Sequence, residues 1–159
     1  HVLPAKQKLF TSFVSVTSHA PFRLIPPYVA DWQIDAKTFA GPARIEHPVT
    51  WLNMLQDPVA LTAYGDAIEY SLRTMCGFAC RLTRPSLVIV LGDHQPPIAT
   101  TVQPPDNSKD VLMHVWTNQP ELLKPLQGFG FVDGFWVPQD KPAFSTVEIA
   151  PGILHAYGR

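Results

Sequence analysis

Apolar residues along this chain change their period at a few definite points, and each change predicts an element. Over "LFTSFVSVTSH", residues 9–19, the strand formers Phe13, Val14 and Val16 sit in a loosely alternating run that closes on Ser18-His19. That pattern predicts a strand over 9–17. Residues 20–56 then carry Pro21, Pro26, Pro27, Pro42 and Pro48 with no sustained period. A loop this long inside a compact domain covers something or serves function. From Asp57 the period becomes helical: Leu61, Tyr64, Ile68, Leu72, Met75, Ala79 and Leu82 recur at spacings of three and four. They predict one apolar stripe, packed on a sheet, along a helix over 58–82. Asp57 can cap that helix, Pro58 suits its first turn, and Glu69 and Arg73 pair at i,i+4 on the other side. The helix closes before Pro85.

The next run, "SLVIVLGDHQPP" (86–97), is apolar from Leu87 to Leu91 and stops abruptly at Gly92-Asp93-His94. A strand over 86–92 with so few polar positions reads as buried on both faces, as central parallel strands are. "VLMHVWT" (111–117) is a further strand-like run, and "PELLKPLQGFG" reads as a short helical piece ended by glycines. "GFWVP" reads as a last short strand, and 145–157 as a final turn or helix. Strand, helix, strand, short helix, strand is the α/β order, with helices packed on a largely parallel sheet. There is no internal repeat.

Composition bounds this picture without changing it. The 159 residues suit one domain, 1–159, with no internal boundary, and 46% apolar against 16% charged residues suit a packed core. A net charge of -1 gives no electrostatic reason to expect nucleic acid or an anionic membrane as partner. The 17 prolines accompany 11% aromatic residues, which favours long structured loops over disorder. No apolar stretch approaches the roughly 20 residues of a membrane span, and no signal-peptide pattern opens the chain. The first residue is His1 rather than Met, so the expectation is a processed or truncated piece of something longer. Cys76 and Cys80 lie four apart on one helical face, where a disulfide fits poorly and two thiols are too few for a structural zinc site. They read as buried small hydrophobes.

The chemistry concentrates at strand ends. Sites in open α/β sheets form beyond the carboxyl ends of the strands. Asp93-His94 follows one predicted strand and His19 follows another, so both clusters could open onto one crevice. An Asp oxygen beside a His nitrogen suits zinc, manganese and related divalent ions, and the small neighbours Gly92 and Ala20 allow close approach. Arg23, four residues after His19, is placed to help bind an anionic group. The other histidines point elsewhere: His114 shares a strand face with Leu112 and Trp116 as a core or edge residue, His47 lies in the long loop, and His155 reads as surface.

"FVSVTSHAPF", "AYGDAIEYSLRTMCGF" and "LVIVLGDHQPP", in that order over residues 9–98, resemble the C-terminal half of the sulfatase-like branch of the alkaline phosphatase superfamily. That branch includes sulfatases, phosphoglycerol transferases and phosphoethanolamine transferases. The later segment resembles the tail of that domain only loosely. The resemblance implies a three-layer α/β/α fold with a largely parallel or mixed sheet, present here as a C-terminal portion. It implies that Asp93 and His94 ligate the catalytic metal, a Zn, Mn, Ca or Mg ion, and that His19 contacts the phosphoryl or sulfuryl group or a second metal. Tyr64, Tyr70 and Leu72 match scaffold positions of the family's helix. Ser71 stands where many members carry an acidic residue, and Gln95-Pro96-Pro97 replaces the acidic residue and histidine that phosphoethanolamine transferases carry after the Asp-His pair.

The family's chemistry is attack on a tetrahedral sulfur or phosphorus centre by a Thr, Ser or modified Cys nucleophile held on a divalent ion. Histidines donate to the non-bridging oxygens or the leaving group. The nucleophile and first acidic ligand lie upstream of the family's equivalent of "TSHAPF", and "CGFAC" lacks the Cys-x-Pro-x-Arg pattern of formylglycine sulfatases. The expectation is therefore half a site, inactive alone and holding the divalent metal weakly or not at all. The implied substrate is a small-molecule or lipid-linked sulfate or phosphate ester. The implied location is the periplasmic or extracellular face of a membrane, with membrane helices upstream in the parent and none within this chain. The competing expectation is a non-catalytic binding or accessory module that keeps the fold without the nucleophile.

Overall fold

The computed structural model describes residues 7–20, 22, 25–35, 37–38, 58–95, 110–136 and 144–158. Its elements are helix α1 (Pro58–Ala79), strands β1 (Leu87–Leu91) and β2 (Met113–Thr117), a 3₁₀ helix (Pro120–Phe129) and helix α2 (Thr146–Tyr157). Helices with a small two-stranded antiparallel sheet make this a mixed α/β chain. It divides into two compact units, residues 1–72 and 73–159, with the division inside α1.

In the first unit the strand expected over 9–17 is absent. Residues 9–16 carry no strand pairing, and Leu9, Phe10, Phe13, Val14 and Val16 are all exposed. Strand formers make a strand only where a neighbour takes up their N–H and C=O groups and a surface covers their side chains, and alternation supplies neither. Beyond it, the described part of the long loop is built from local turns. The Asp35 carboxylate accepts from the Thr38 hydroxyl and the Lys37 amide, which holds its carboxyl below the ordinary carboxylate range.

Helix α1 forms where the spacing predicts it, and Ala79 of the predicted stripe is buried, but before it a different face is covered. Ala60, Ala63, Ala67 and Ser71 are buried, while Leu61 is exposed and Ile68, Leu72 and Met75 are half-buried. Both sets recur at three and four, so spacing admits either. Ser71 satisfies its hydroxyl by donating to the Ala67 carbonyl one turn earlier, at 2.9 Å. The buried ring of Phe22 packs on Tyr64, with centroids 5.2 Å apart. The helix also ends earlier than Leu82: Arg81 and Leu82 donate to carbonyls three residues back, a tightened last turn.

In the second unit β1 and β2 run antiparallel, with Leu87 opposite Thr117 and Leu91 opposite Met113. The expectation of a central parallel strand is corrected. Leu87–Val90 are half-buried and Leu91 is exposed, because a two-stranded ribbon cannot cover both of its faces. An unbroken apolar run fixes neither strand direction nor neighbour. The base of the ribbon is tied by side chains. Asn118 accepts from the Ser86 amide and donates to the Leu82 and Arg84 carbonyls, and the Thr117 hydroxyl donates to the Ser86 carbonyl.

The glycine-ended helical piece forms as the 3₁₀ helix with Leu126 buried. Gly130 closes it in the left-handed region at φ 73°, where the ring of Phe144 leaves little room for a Cβ. Helix α2 starts on a Ser145 cap that accepts from the Val147 amide. Gly152 lets α2 pass against the Phe129 ring, whose space a Cβ would enter, and Phe129 meets Phe144 edge-on. The Tyr157 hydroxyl donates to the Leu122 carbonyl, and burial raises that phenol above its ordinary range. The short strand expected in "GFWVP" is not formed over Gly134–Trp136, and Val137 and Pro138 lie outside the described residues.

Candidate metal half-site at the end of strand β1

Strand β1 delivers its chain to the tip Gly92-Asp93-His94-Gln95, where the backbone bends and every side chain is exposed. Two ties fix the tip. The Gly92 amide donates to the Leu112 carbonyl at 3.4 Å, and the Gln95 side-chain amide donates to the Asp110 carbonyl. A Cβ at position 92 would meet Val111 at 3.4 Å, an ordinary van der Waals contact, so the close pairing of the two chain segments here does not depend on glycine. Gln95, notable in the sequence only as a departure from the family pattern, supports the tip, a role nothing in its spacing signals because its partner lies 15 residues away.

Within the tip, the Asp93 carboxylate accepts from the His94 amide at 3.0 Å. The His94 ring sets Nδ1 2.8 Å from the Gln95 carbonyl, which can only accept, so Nδ1 carries the proton of that bond. In the neutral ring Nε2 then holds the lone pair. It stands 3.7 Å from Asp93 Oδ2, so two electron-rich atoms face one another across a gap. Two donors on one tetrahedral ion, each bonded at about 2.1 Å, stand about 3.4 Å apart. A ligating histidine commonly donates its second ring nitrogen to a backbone carbonyl, as His94 does. The pair therefore fits a divalent cation, and a protonated His94 would close the same gap as an ion pair. The side chains are 87% and 68% exposed for Asp93 and His94, so an ion there would complete its shell from solvent or from further donors. Among the described residues no group of three or more His, Cys, Asp and Glu side chains converges on a common point.

His19 lies in the first unit, on the turn that contains "TSHAPF". Its amide donates to the Val16 carbonyl, and its own carbonyl accepts from the Phe22 amide. The exposed ring places Nδ1 2.7 Å from the Ala20 carbonyl, the same next-residue arrangement as in His94. Phe22 anchors this turn in the left-handed region at φ 59°, a conformation costly for an aromatic residue and held here by burial against Tyr64. Arg23 lies outside the described residues, as does His47.

The remaining candidates resolve separately. Cys76 and Cys80 are exposed free thiols, not buried hydrophobes, because the buried side of α1 is its alanine face. His114 is half-buried and stacked on Phe135, with centroids 4.7 Å apart and planes within 8°. His155 is exposed on α2. No helix among the described residues is long and apolar enough to cross a membrane. Neither a protein-family model, a curated protein nor a solved structure matches the chain.

Proposed function

We propose that Asp93 and His94 supply half of the divalent-metal site of a sulfatase-like enzyme that hydrolyses or transfers a sulfate or phosphate ester. The observation that carries this reading is the pairing of His94 Nε2 with Asp93 Oδ2 at 3.7 Å while Nδ1 is committed to a backbone carbonyl. The resemblance of "LVIVLGDHQPP" to the family's metal-ligand segment supports it from the sequence side.

In this reading Asp93 contributes negative charge to a Zn, Mn, Ca or Mg ion, and His94 contributes a neutral nitrogen whose orientation Gln95 holds. A divalent ion in such a site lowers the pKa of a nucleophile and offsets charge on the transferred group. His19 donates a proton or hydrogen bond to a non-bridging or leaving oxygen, and Arg23 pairs with the anionic ester. The nucleophile and first acidic ligand come from sequence that the family places upstream of its "TSHAPF" equivalent. The reading carries with it a three-layer α/β/α domain in which β1 and β2 belong to a larger mixed sheet. The wholly apolar but only half-covered Leu87–Val90 run supports that extension. It also carries a location on the periplasmic or extracellular side of a membrane and a small-molecule or lipid-linked ester as substrate.

The test is Asp93→Asn in the whole gene product, which removes a charged ligand and keeps its shape. Bound metal and ester turnover should fall together. Retention of both would remove the pair from the metal site and the functional reading with it.

A further inference from the structure

We infer that Cys76 and Cys80 form a two-thiolate clamp for one soft, two-coordinate metal ion of the copper(I) class. These are the chain's two cysteines, and both thiols are free and exposed. The Cys80 amide donates to the Cys76 carbonyl at 2.9 Å, so helical register persists between them although α1 proper ends at Ala79. Cys80 therefore stands one turn beyond Cys76 on the same face.

That register selects among the chemistries open to a dithiol. Side chains at i and i+4 have Cβ atoms about 5–6 Å apart. A disulfide requires Cβ atoms at roughly 3.5–4.5 Å, which this turn does not offer without unwinding. With metal–sulfur bonds near 2.3 Å, two sulfurs flanking one ion stand roughly 4–4.6 Å apart, a span that two side-chain rotations supply. Zinc is the weaker fit, since its protein sites want three or four donors. Among the described residues no third His, Cys, Asp or Glu joins the pair. Thiolate donors favour copper(I), and an ion content with two ligands needs no more.

The Arg81 guanidinium donates to the Gly77 carbonyl at 2.9 Å. The exposed Arg73 stands one turn before Cys76 on the same face, so the pair has cationic neighbours that suit the anion formed by two thiolates and one copper(I). Each thiol gives up its proton as the ion enters, so binding releases two protons per ion and changes no oxidation state.

The experiment is an anaerobic titration of the reduced chain with copper(I) against a colorimetric copper(I) chelator. The expected result is one ion per chain held against the chelator and protection of both thiols from alkylation. Cys76→Ser and Cys80→Ser should each abolish retention with the helical circular dichroism unchanged, since neither position is buried. Cys80→Ser combined with Phe78→Cys keeps two exposed thiols but sets them two residues apart on opposite sides of the helix, and it should also fail. Retention of copper(I) by any of these variants would overturn the clamp. Equal protection of the thiols by zinc would overturn its two-coordinate character.

Discussion

Two turns in this chain each present a histidine in the same local arrangement, and they are held by opposite means. His19 and His94 both set Nδ1 against the carbonyl of the following residue, at 2.7 and 2.8 Å. Around His19 the support is a buried aromatic ring: Phe22 takes a left-handed backbone conformation and packs on Tyr64. Around His94 no described residue of the tip is buried, and the support is hydrogen bonding from Gly92 and Gln95 to the chain entering β2. A ring nitrogen can thus be aimed either by packing or by backbone ties. Packing couples the aim to the stability of the unit, whereas ties leave a tip whose chemistry can change with little effect on the fold.

The largest effect expected from this contrast is at the packed turn. Phe22→Ala should cost about 3–5 kcal/mol, the usual loss for a buried aromatic, because alanine gives up the Tyr64 contact and keeps the unfavourable backbone. Denaturant unfolding would measure it. A cost under about 1 kcal/mol would mean that the turn stands without its anchor. The tied tip should respond less. Gln95→Ala should cost about 0.5–1.5 kcal/mol, the net value of one hydrogen bond. Its clearer signature is faster amide hydrogen exchange at 93–95 with protection in β1 and β2 retained. Loss of protection throughout both strands would show that Gln95 holds the ribbon rather than the tip.

The same contrast marks what could be read from the sequence. Helix α1, the two strands, the glycine-ended 3₁₀ helix and a final turn or helix over 145–157 were legible because period, proline placement and glycine punctuation act locally. The Asp93-His94 tip was legible as a donor pair because adjacency alone brings those atoms together. What depended on partners was not legible. The 9–17 run has strand formers but carries no strand pairing, and the direction of β1 follows from β2, 22 residues onward. The buried side of α1 carries Ala60, Ala63 and Ala67, which the larger residues of the predicted stripe outweigh on any hydropathy reading. Phe22 escaped notice because its role rests on a backbone angle and a distant tyrosine.

The smallest expected effect is the sharpest for the comparison. Asp93→Asn and His94→Gln should each shift unfolding free energy by no more than about 0.5 kcal/mol, as substitutions at exposed positions do. The Asp93 carboxylate bonds only to the neighbouring His94 amide among the contacts that define the tip, and an asparagine oxygen can accept in the same place. The gap between Nε2 and Oδ2 contributes little to folding, because two exposed side chains across 3.7 Å interact weakly in water. Divalent-ion affinity of the whole gene product carrying the same substitutions should fall even though stability does not. Losses of 2 kcal/mol or more in both would identify Asp93 and His94 as parts of the turn's framework. In that case their side-by-side placement would answer to the fold, and the metal reading would lose its geometric support.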